Sequence, residues 1–338
     1  MRKTYILATL CLLFWGAMMA SAQRYFITNQ YAYDLFLVNP AATAMRTDCY
    51  SFNAYIQKQW WGTELAPSTQ ILTFQRAYKS NLGIGSYIYN DRNGNHHEVG
   101  AQQTFAYKVR LVKKRRKNVS LLFGMSLFAD YRYLDMSNFN SSASMDPVMG
   151  GGAKTSGFSI NSNAGAILIY NKWQFGLSAT NMVPFTNTLY TMDEEPKVHM
   201  DMNLYLSTYY KLPNYDLYLE PSVFYRRNNY LDSRTDFNLR ATMPTKSSDL
   251  VLWGLGSYRR STDESWGENL GAAVTLGVFY KSVMVGMEYQ FTLTDARQNY
   301  GNSYQLLLGY RFCRDRKREA LPCIDDPKRR KTGFAVKK

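Results

Sequence analysis

Apolar and polar residues alternate one by one along much of this 338-residue chain. Between Ser282 and Thr292, one side carries Val283, Val285, Met287, Tyr289 and Phe291. Most of the other is Ser282, Gly286, Glu288, Gln290 and Thr292. A period of two over ten residues is the signature of a strand whose faces meet different environments. The pattern recurs where Val198, Met200, Met202, Leu204 and Leu206 alternate with Lys197, His199, Asp201, Asn203 and Ser207. It recurs again where Val99, Ala101, Phe105, Tyr107 and Val109 alternate with Gly100, Gln102, Thr104, Lys108 and Arg110. Phe237, Leu239 and Ala241 alternate with Asp236, Asn238, Arg240 and Thr242. Counting such segments predicts an all-β chain of about fourteen strands. They lie near 50–58, 68–77, 81–90, 96–111, 118–131, 157–170, 173–181, 197–211, 215–226, 234–243, 249–259, 268–279, 282–293 and 302–312.

The connections sort by parity. Those after even-numbered segments are mostly short, as at Ala77–Asn81, Asn171–Lys172, Leu212–Asn214 and Tyr280–Lys281. Those after odd-numbered segments are longer and more polar, as at Gln59–Pro67, Arg132–Ser156, Met182–Pro196 and Arg260–Gly267. Outer-membrane barrels have an even strand count, short periplasmic turns and long outside loops, whereas a soluble sandwich has no reason to sort its loops. The expected fold is therefore a transmembrane antiparallel β-barrel spanning 50–312. The last strand sets Tyr304, Leu306, Leu308, Tyr310 and Phe312 on one face. Tyr310 and Phe312 at its end resemble the signal by which outer-membrane barrels are recognised for assembly.

The ends of the chain differ in character from its middle. Arg2 and Lys3, the apolar run Tyr5–Met19 and the small residues Ala20-Ser21-Ala22 predict a signal peptide over 1–22, with Gln23 opening the mature chain. Residues 23–49 lack clean alternation and are expected to be a periplasmic or plug segment. Its apolar Leu35, Phe36, Leu37 and Val38, beside Asn39-Pro40, need burial either in the lumen or against another protein. The tail over 313–338 carries ten Lys or Arg and four acids, a net charge of 10 − 4 = +6. It is expected to be a basic periplasmic tail that is mobile in water.

Composition fits this picture. Aromatic residues make up 15% of the chain, with 27 Tyr and 18 Phe; aromatics favour strands and collect at barrel interfaces. A mean hydropathy of −0.36 does not argue against a membrane when only alternate residues meet lipid. The net charge of +14 would suggest nucleic acid in a cytosolic protein; in an exported one it points to acidic partners or lipopolysaccharide phosphates, and no nucleic acid is expected. Cys49, Cys313 and Cys323 survive cleavage, and Cys313 and Cys323 either close a small loop in the tail or stay unpaired.

Candidate chemistry is sparse. His96 and His97 are adjacent, so on a strand they take opposite faces and cannot share a metal or a proton. Asp193-Glu194-Glu195 in an outside loop could attract a divalent cation but reads better as a solvated loop. Lys113 to Lys117 is a basic run at a periplasmic turn, solvated or facing an acidic partner. Gly83 and Gly85 fall opposite Leu82 and Ile84, where small residues relieve crowding inside a barrel. No serine-nucleophile, zinc-protease or paired-cysteine motif occurs, so neither catalysis nor a cofactor is expected. Inward-facing Asp201, Asn203, Glu288 and Gln290 would suit a wet lumen, and equally an interior packed with hydrogen-bonded side chains.

Three stretches in order resemble the PorP/SprF family of type IX secretion system membrane proteins. They are Gln30–Ala44 (QYAYDLFLVNPAATA), Gln59–Phe74 with Trp60, Trp61, Gly62, Ala66, Pro67, Thr69 and Gln70, and Asn81–Asp91 (NLGIGSYIYND). Two departures stand out: Ala42-Thr43-Ala44 in place of a more usual Tyr-Ala-Gly, and the basic tail beyond the last strand. The resemblance implies an outer-membrane protein of Bacteroidota. It implies a non-enzymatic part in the export or surface assembly of cargo bearing a sorting domain, in some species a gliding adhesin. The implied partners are periplasmic and outer-membrane components of the apparatus, including a peptidoglycan-binding lipoprotein, together with secreted cargo and outer-membrane lipid. The alternative is a passive or substrate-selective channel. An even strand count puts both termini on the periplasmic side. Leu35, Phe36, Leu37, Val38, Asn39 and Pro40, with Arg314, Arg316, Lys317 and Arg318, are then the expected docking surface.

Overall fold

The computed structural model describes residues 28–45, 49–60, 62, 65–78, 81–114, 117–135, 156–183, 199–213, 215–228, 233–245, 249–262, 269–293 and 301–313. Fifteen strand pieces follow one another: β1 Cys49–Lys58, β2 Ser68–Tyr78, β3 Leu82–Asn93, β4 His96–Lys114, β5 Lys117–Leu134, β6 Ser156–Tyr170, β7 Trp173–Thr180 and β8 Asp201–Ser207, then β9 Tyr210–Lys211, β10 Tyr218–Asn228, β11 Ser233–Pro244, β12 Leu250–Ser261, β13 Asn269–Tyr280, β14 Val283–Thr292 and β15 Ser303–Cys313. Neighbours pair antiparallel, and β1 pairs with β15, so the sheet closes on itself.

β8 and β9 are one stave of the wall. Both pair with β10 in a single register, from Ser207↔Ser222 to Tyr210↔Leu219. The ladder is interrupted where Thr208 donates its N–H to the Pro221 carbonyl at 3.2 Å. Pro221 has no N–H to return, so the second bond of that rung is missing. The wall thus has fourteen staves, and each falls on a segment that the alternation predicts.

The alternation is inside out. Exposed residues on the outer face include Leu276 (70%), Met125 (67%), Phe158 (64%) and Met287 (60%). Asn53, Gln102, Thr104, Asn203, Asp236, Asn238, Glu288 and Gln290 are buried on the inner face. A soluble sheet would bury the apolar set. An outward apolar belt around a closed ring is what a lipid environment requires. No helix among the described residues is long and apolar enough to cross a membrane; this chain crosses with strands. Tyr304, Leu306, Leu308, Tyr310 and Phe312 of β15 sit as expected, with the last four exposed on the lipid-facing side. The Phe312 ring lies 6.4 Å from that of Tyr50 across the seam.

The short connections, including 79–81, 115–116, 171–172 and 281–282, gather at one end of the barrel. At the other end the connections are mostly longer; 229–232 is a short one, and the β3–β4 turn is the shortest. The β3–β4 hairpin turns on Gly94 and Asn95 alone, and Gly94 takes φ +62, which glycine adopts without steric cost.

Candidate functional site

The lumen is where the inward side chains converge, and the chain supplies its own occupant. Residues 28–45 form a strap of three short 3-10 turns, Gln30–Ala32, Leu35–Leu37 and Pro40–Ala44. No period-two pattern runs through this stretch, so no strand forms. Pro40 starts the last turn with its φ already set, and the Asn39 side chain caps it by accepting from the Ala41 N–H at 3.0 Å.

The first half of the strap is fastened by side-chain hydrogen bonds to the wall. Asp34 accepts from Gln75 Nε2 (2.7 and 2.8 Å), Asn53 Nδ2 (3.0 Å) and Thr73 Oγ1 (3.1 Å). Glu288 accepts from Asn29 Nδ2 (2.7 Å) and Thr275 Oγ1 (2.9 Å), and also from the Tyr33 hydroxyl and Gln290 Nε2. Tyr31 donates to Asp236 at 2.6 Å and accepts from Asn238 at 3.1 Å. Its ring stacks on Phe224 with centroids 4.2 Å apart. Gln30 reaches Gln57 and Gln305, each at 2.9 Å. A buried carboxyl group away from water is costly unless its oxygens find donors; those of Asp34 and Glu288 find neutral donors on either side of the strap–wall boundary. Glu288→Ala removes the acceptor of several buried donors at once. It is expected to lower barrel stability by about 3 kcal/mol, read as a lower temperature for the gel shift between folded and boiled forms. Glu288→Gln, which keeps an acceptor oxygen, should lose less.

The second half is seated by shape. A Cβ on Gly124 would lie 2.4 Å from Ala41 N and Pro40 C, and one on Gly83 2.6 Å from Thr43 C. At Gly165 it would meet Asn39 Oδ1 at 2.2 Å, and at Gly85 the Phe36 ring at 2.9 Å. Glycines on β3, β5 and β6 therefore carve a trough into which the strap backbone sinks. Asn39 Nδ2 donates across it to the Leu177 carbonyl at 3.2 Å, and Ser178 Oγ donates to the Val38 carbonyl at 2.7 Å. The opposite wall stands off, leaving a cavity of about 110 Å³ lined by Tyr33, Glu220, Arg240, Trp253 and Arg311 among others. Arg240 there lies over the Trp253 ring, 5.5 Å from its centroid.

The strap has a direction. Thr28 meets Gln57 of β1 and its carbonyl accepts from Arg234 Nη2 of β11 at 3.2 Å, both at the end of the barrel opposite the 79–81 turn. Ala44 lies against Gly83, just after the 79–81 turn. The strap therefore runs down the lumen from the long-loop end to the short-turn end, where β1 begins.

Of the residues expected to dock a partner, Phe36, Leu37, Val38, Asn39 and Pro40 are buried inside the barrel and Leu35 is half-buried there. Arg314, Arg316, Lys317 and Arg318 lie outside the described residues, as do Asp193-Glu194-Glu195, Cys323, the signal segment and Trp61. Trp60, two residues past the end of β1, takes φ +51. Gln59 N–H donates to the Pro67 carbonyl at 2.8 Å, closing the loop that holds exposed Gly62 and buried Ala66. Thr69 faces inward and donates to Asp91 at 2.5 Å, whereas Gln70 faces out. His97 stacks on Tyr133 with centroids 4.7 Å apart. No group of three or more metal-ligating side chains occurs among the described residues. Sequence reasoning missed Asn29, Gln30, Tyr31, Tyr33 and Asp34. A cluster of tyrosines, amides and an acid in a segment with no strand pattern was the available signal.

The barrel is similar to that of CymD, a monoaromatic hydrocarbon channel (9% identity, 85% of this chain and 92% of that one, TM-score 0.50). The toluene transporter TbuX of Ralstonia pickettii follows (10%, 82% and 92%, TM-score 0.48), then TodX of P. putida (11%, 82% and 93%, TM-score 0.47). At such identities the likeness extends to the fold alone. No curated protein matches the chain. Residues 20–310 match the family described as type IX secretion system membrane protein PorP/SprF. The match spans the strap and nearly the whole wall, and the chain belongs to the PorP/SprF family of type IX secretion system membrane proteins.

Proposed function

We propose that this protein is a non-enzymatic outer-membrane component of the type IX secretion system that supports export or surface assembly of sorting-domain cargo. It acts as a membrane-anchored scaffold, and cargo does not pass through its lumen. The observation that carries the reading is the strap. A segment of the chain fills the barrel, hydrogen-bonded on one side and sunk into a glycine trough on the other. A passage for a folded or extended polypeptide would need that space. The same observation weighs against the channel alternative.

Contact with the periplasmic apparatus then falls to the tail beyond Cys313, on the side of the short turns. Residues 35–40 are spent on the lumen, while the tail has a net charge of +6 from ten basic and four acidic residues. Such a tail speeds encounter with an acidic partner and loses that advantage as salt rises. The reading is tested in a strain lacking the gene. Surface delivery of sorting-domain cargo should fail, and should return with the full chain but only weakly with a chain ending at Cys313. Normal delivery without the gene defeats the proposal; full rescue by the shortened chain defeats the role of the tail.

A further inference from the structure

Cys49 is the first residue of β1 and Cys313 the last of β15. The seam that closes the barrel pairs them directly, as the final rung of a ladder running from Lys58↔Tyr304 to Cys49↔Cys313. Residues opposite one another in an antiparallel ladder have Cα atoms about 4.5 or 5.5 Å apart. Both spacings fall within the span a disulfide bridges without moving the backbone. The signal peptide expected over 1–22 would deliver the chain to a compartment where disulfides persist.

The position has a mechanical meaning. At the short-turn end, β2 is joined to β3, β4 to β5, β6 to β7, β9 to β10, β11 to β12 and β13 to β14 by the chain itself. The remaining neighbours at that end are β1 and β15, which the chain enters and leaves there without connecting them. We propose that Cys49 and Cys313 form a disulfide that staples the seam and supplies this last link. It also ties the point where the strap enters the wall to the point where the tail departs. The chemistry is thiol–disulfide exchange with an oxidising disulfide of the periplasm. One cysteine thiolate attacks that disulfide to give a mixed disulfide. The second thiolate displaces the oxidant, which leaves as a dithiol carrying the two electrons and two protons.

Full-length protein from native outer membranes, with thiols blocked by N-ethylmaleimide at lysis, is boiled and run with and without reductant. A Cys49–Cys313 bridge encloses 313 − 49 = 264 residue steps, so the unreduced chain is a large loop that runs ahead of the reduced one. A Cys313–Cys323 bridge spans only ten and leaves mobility unchanged. The faster band is expected in the native chain and in Cys323→Ser, and is lost in Cys49→Ser and Cys313→Ser. Peptide mass spectrometry of the unreduced native chain should find the 49–313 link, which needs no variant to fold. Absence of the fast band from the native chain, or its loss in Cys323→Ser, overturns the proposal.

Discussion

A chain lacking residues 28–45 but keeping residues 1–27 should conduct ions in a planar bilayer, where the intact protein is silent. Barrels of about eight strands are filled by their own inward side chains, whereas those of about sixteen or more leave an aqueous channel. With fourteen staves, the inner face of this barrel cannot close the lumen alone, and the strap supplies the missing volume. Its apolar Phe36, Val38 and Ala41 are each 1% exposed or less. Around the first half of the strap the wall left behind is polar, with Asn53, Thr73, Gln75, Asn238 and Glu288 ready to be hydrated. Conductance of porin scale is the expected outcome. A silent deletion mutant that still shows the heat-dependent gel shift of a folded barrel would mean that the wall closes without its strap. Equal conductance in the intact chain would mean that the strap does not seal.

The second large effect is expected from a single side chain added to the trough. Gly124→Val places a Cβ 2.4 Å from backbone atoms of Pro40 and Ala41. No side-chain rotation relieves a clash with backbone, so the strap must leave its seat or β5 must bend. Overpacking of this kind costs about 3 kcal/mol or more. The folded form should therefore boil out at a clearly lower temperature, with leak conductance where the strap is displaced. Gly256→Val is the matched control. Its Cβ meets nothing within 4 Å on the exposed side of β12, and its effect should stay within about 0.5 kcal/mol. Equal behaviour of the two variants would remove the trough from the account of how the strap is held.

The staves were legible in the sequence because each inner–outer choice recurs at every second residue. A single exposed Leu says nothing, but Met202, Leu204 and Leu206 set against Asp201, Asn203 and Ser207 fix both the strand and its faces. Ends were less legible. The predicted 197–211 strand ignores the Pro221 opposite it, and β3 and β4 run on to Asn93 and Lys114 because hairpin partners extend them. The apolar run from Leu35 to Val38 announced that it needed burial, yet its destination was not readable. The trough is built from Gly83, Gly85, Gly124 and Gly165, which are scattered over three strands and gathered only by closure of the sheet. Gly83 and Gly85 were readable as inward small residues; what they make room for was not. The pairing of Cys49 with Cys313 was hidden for the same reason, since register across the seam is a property of the ring and not of either strand.

The direction of the strap constrains how the molecule can be made. Thr28 sits near the long-loop mouth, while β1 starts at the short-turn mouth. A free end that enters a finished ring must drag its buried polar groups, Asn29, Gln30 and Tyr31 among them, along the lumen before they meet their partners. Assembly of the staves around residues 28–45 as an open, curved sheet avoids that passage, with Tyr31, Tyr33 and Asp34 gathering partners from β11, β14 and β2 before closure. The β1–β15 seam is then the last edge to meet. Closed this way, the N-terminal segment is a lining as well as a stopper: its partners are gathered before the joint that completes the circle shuts around it.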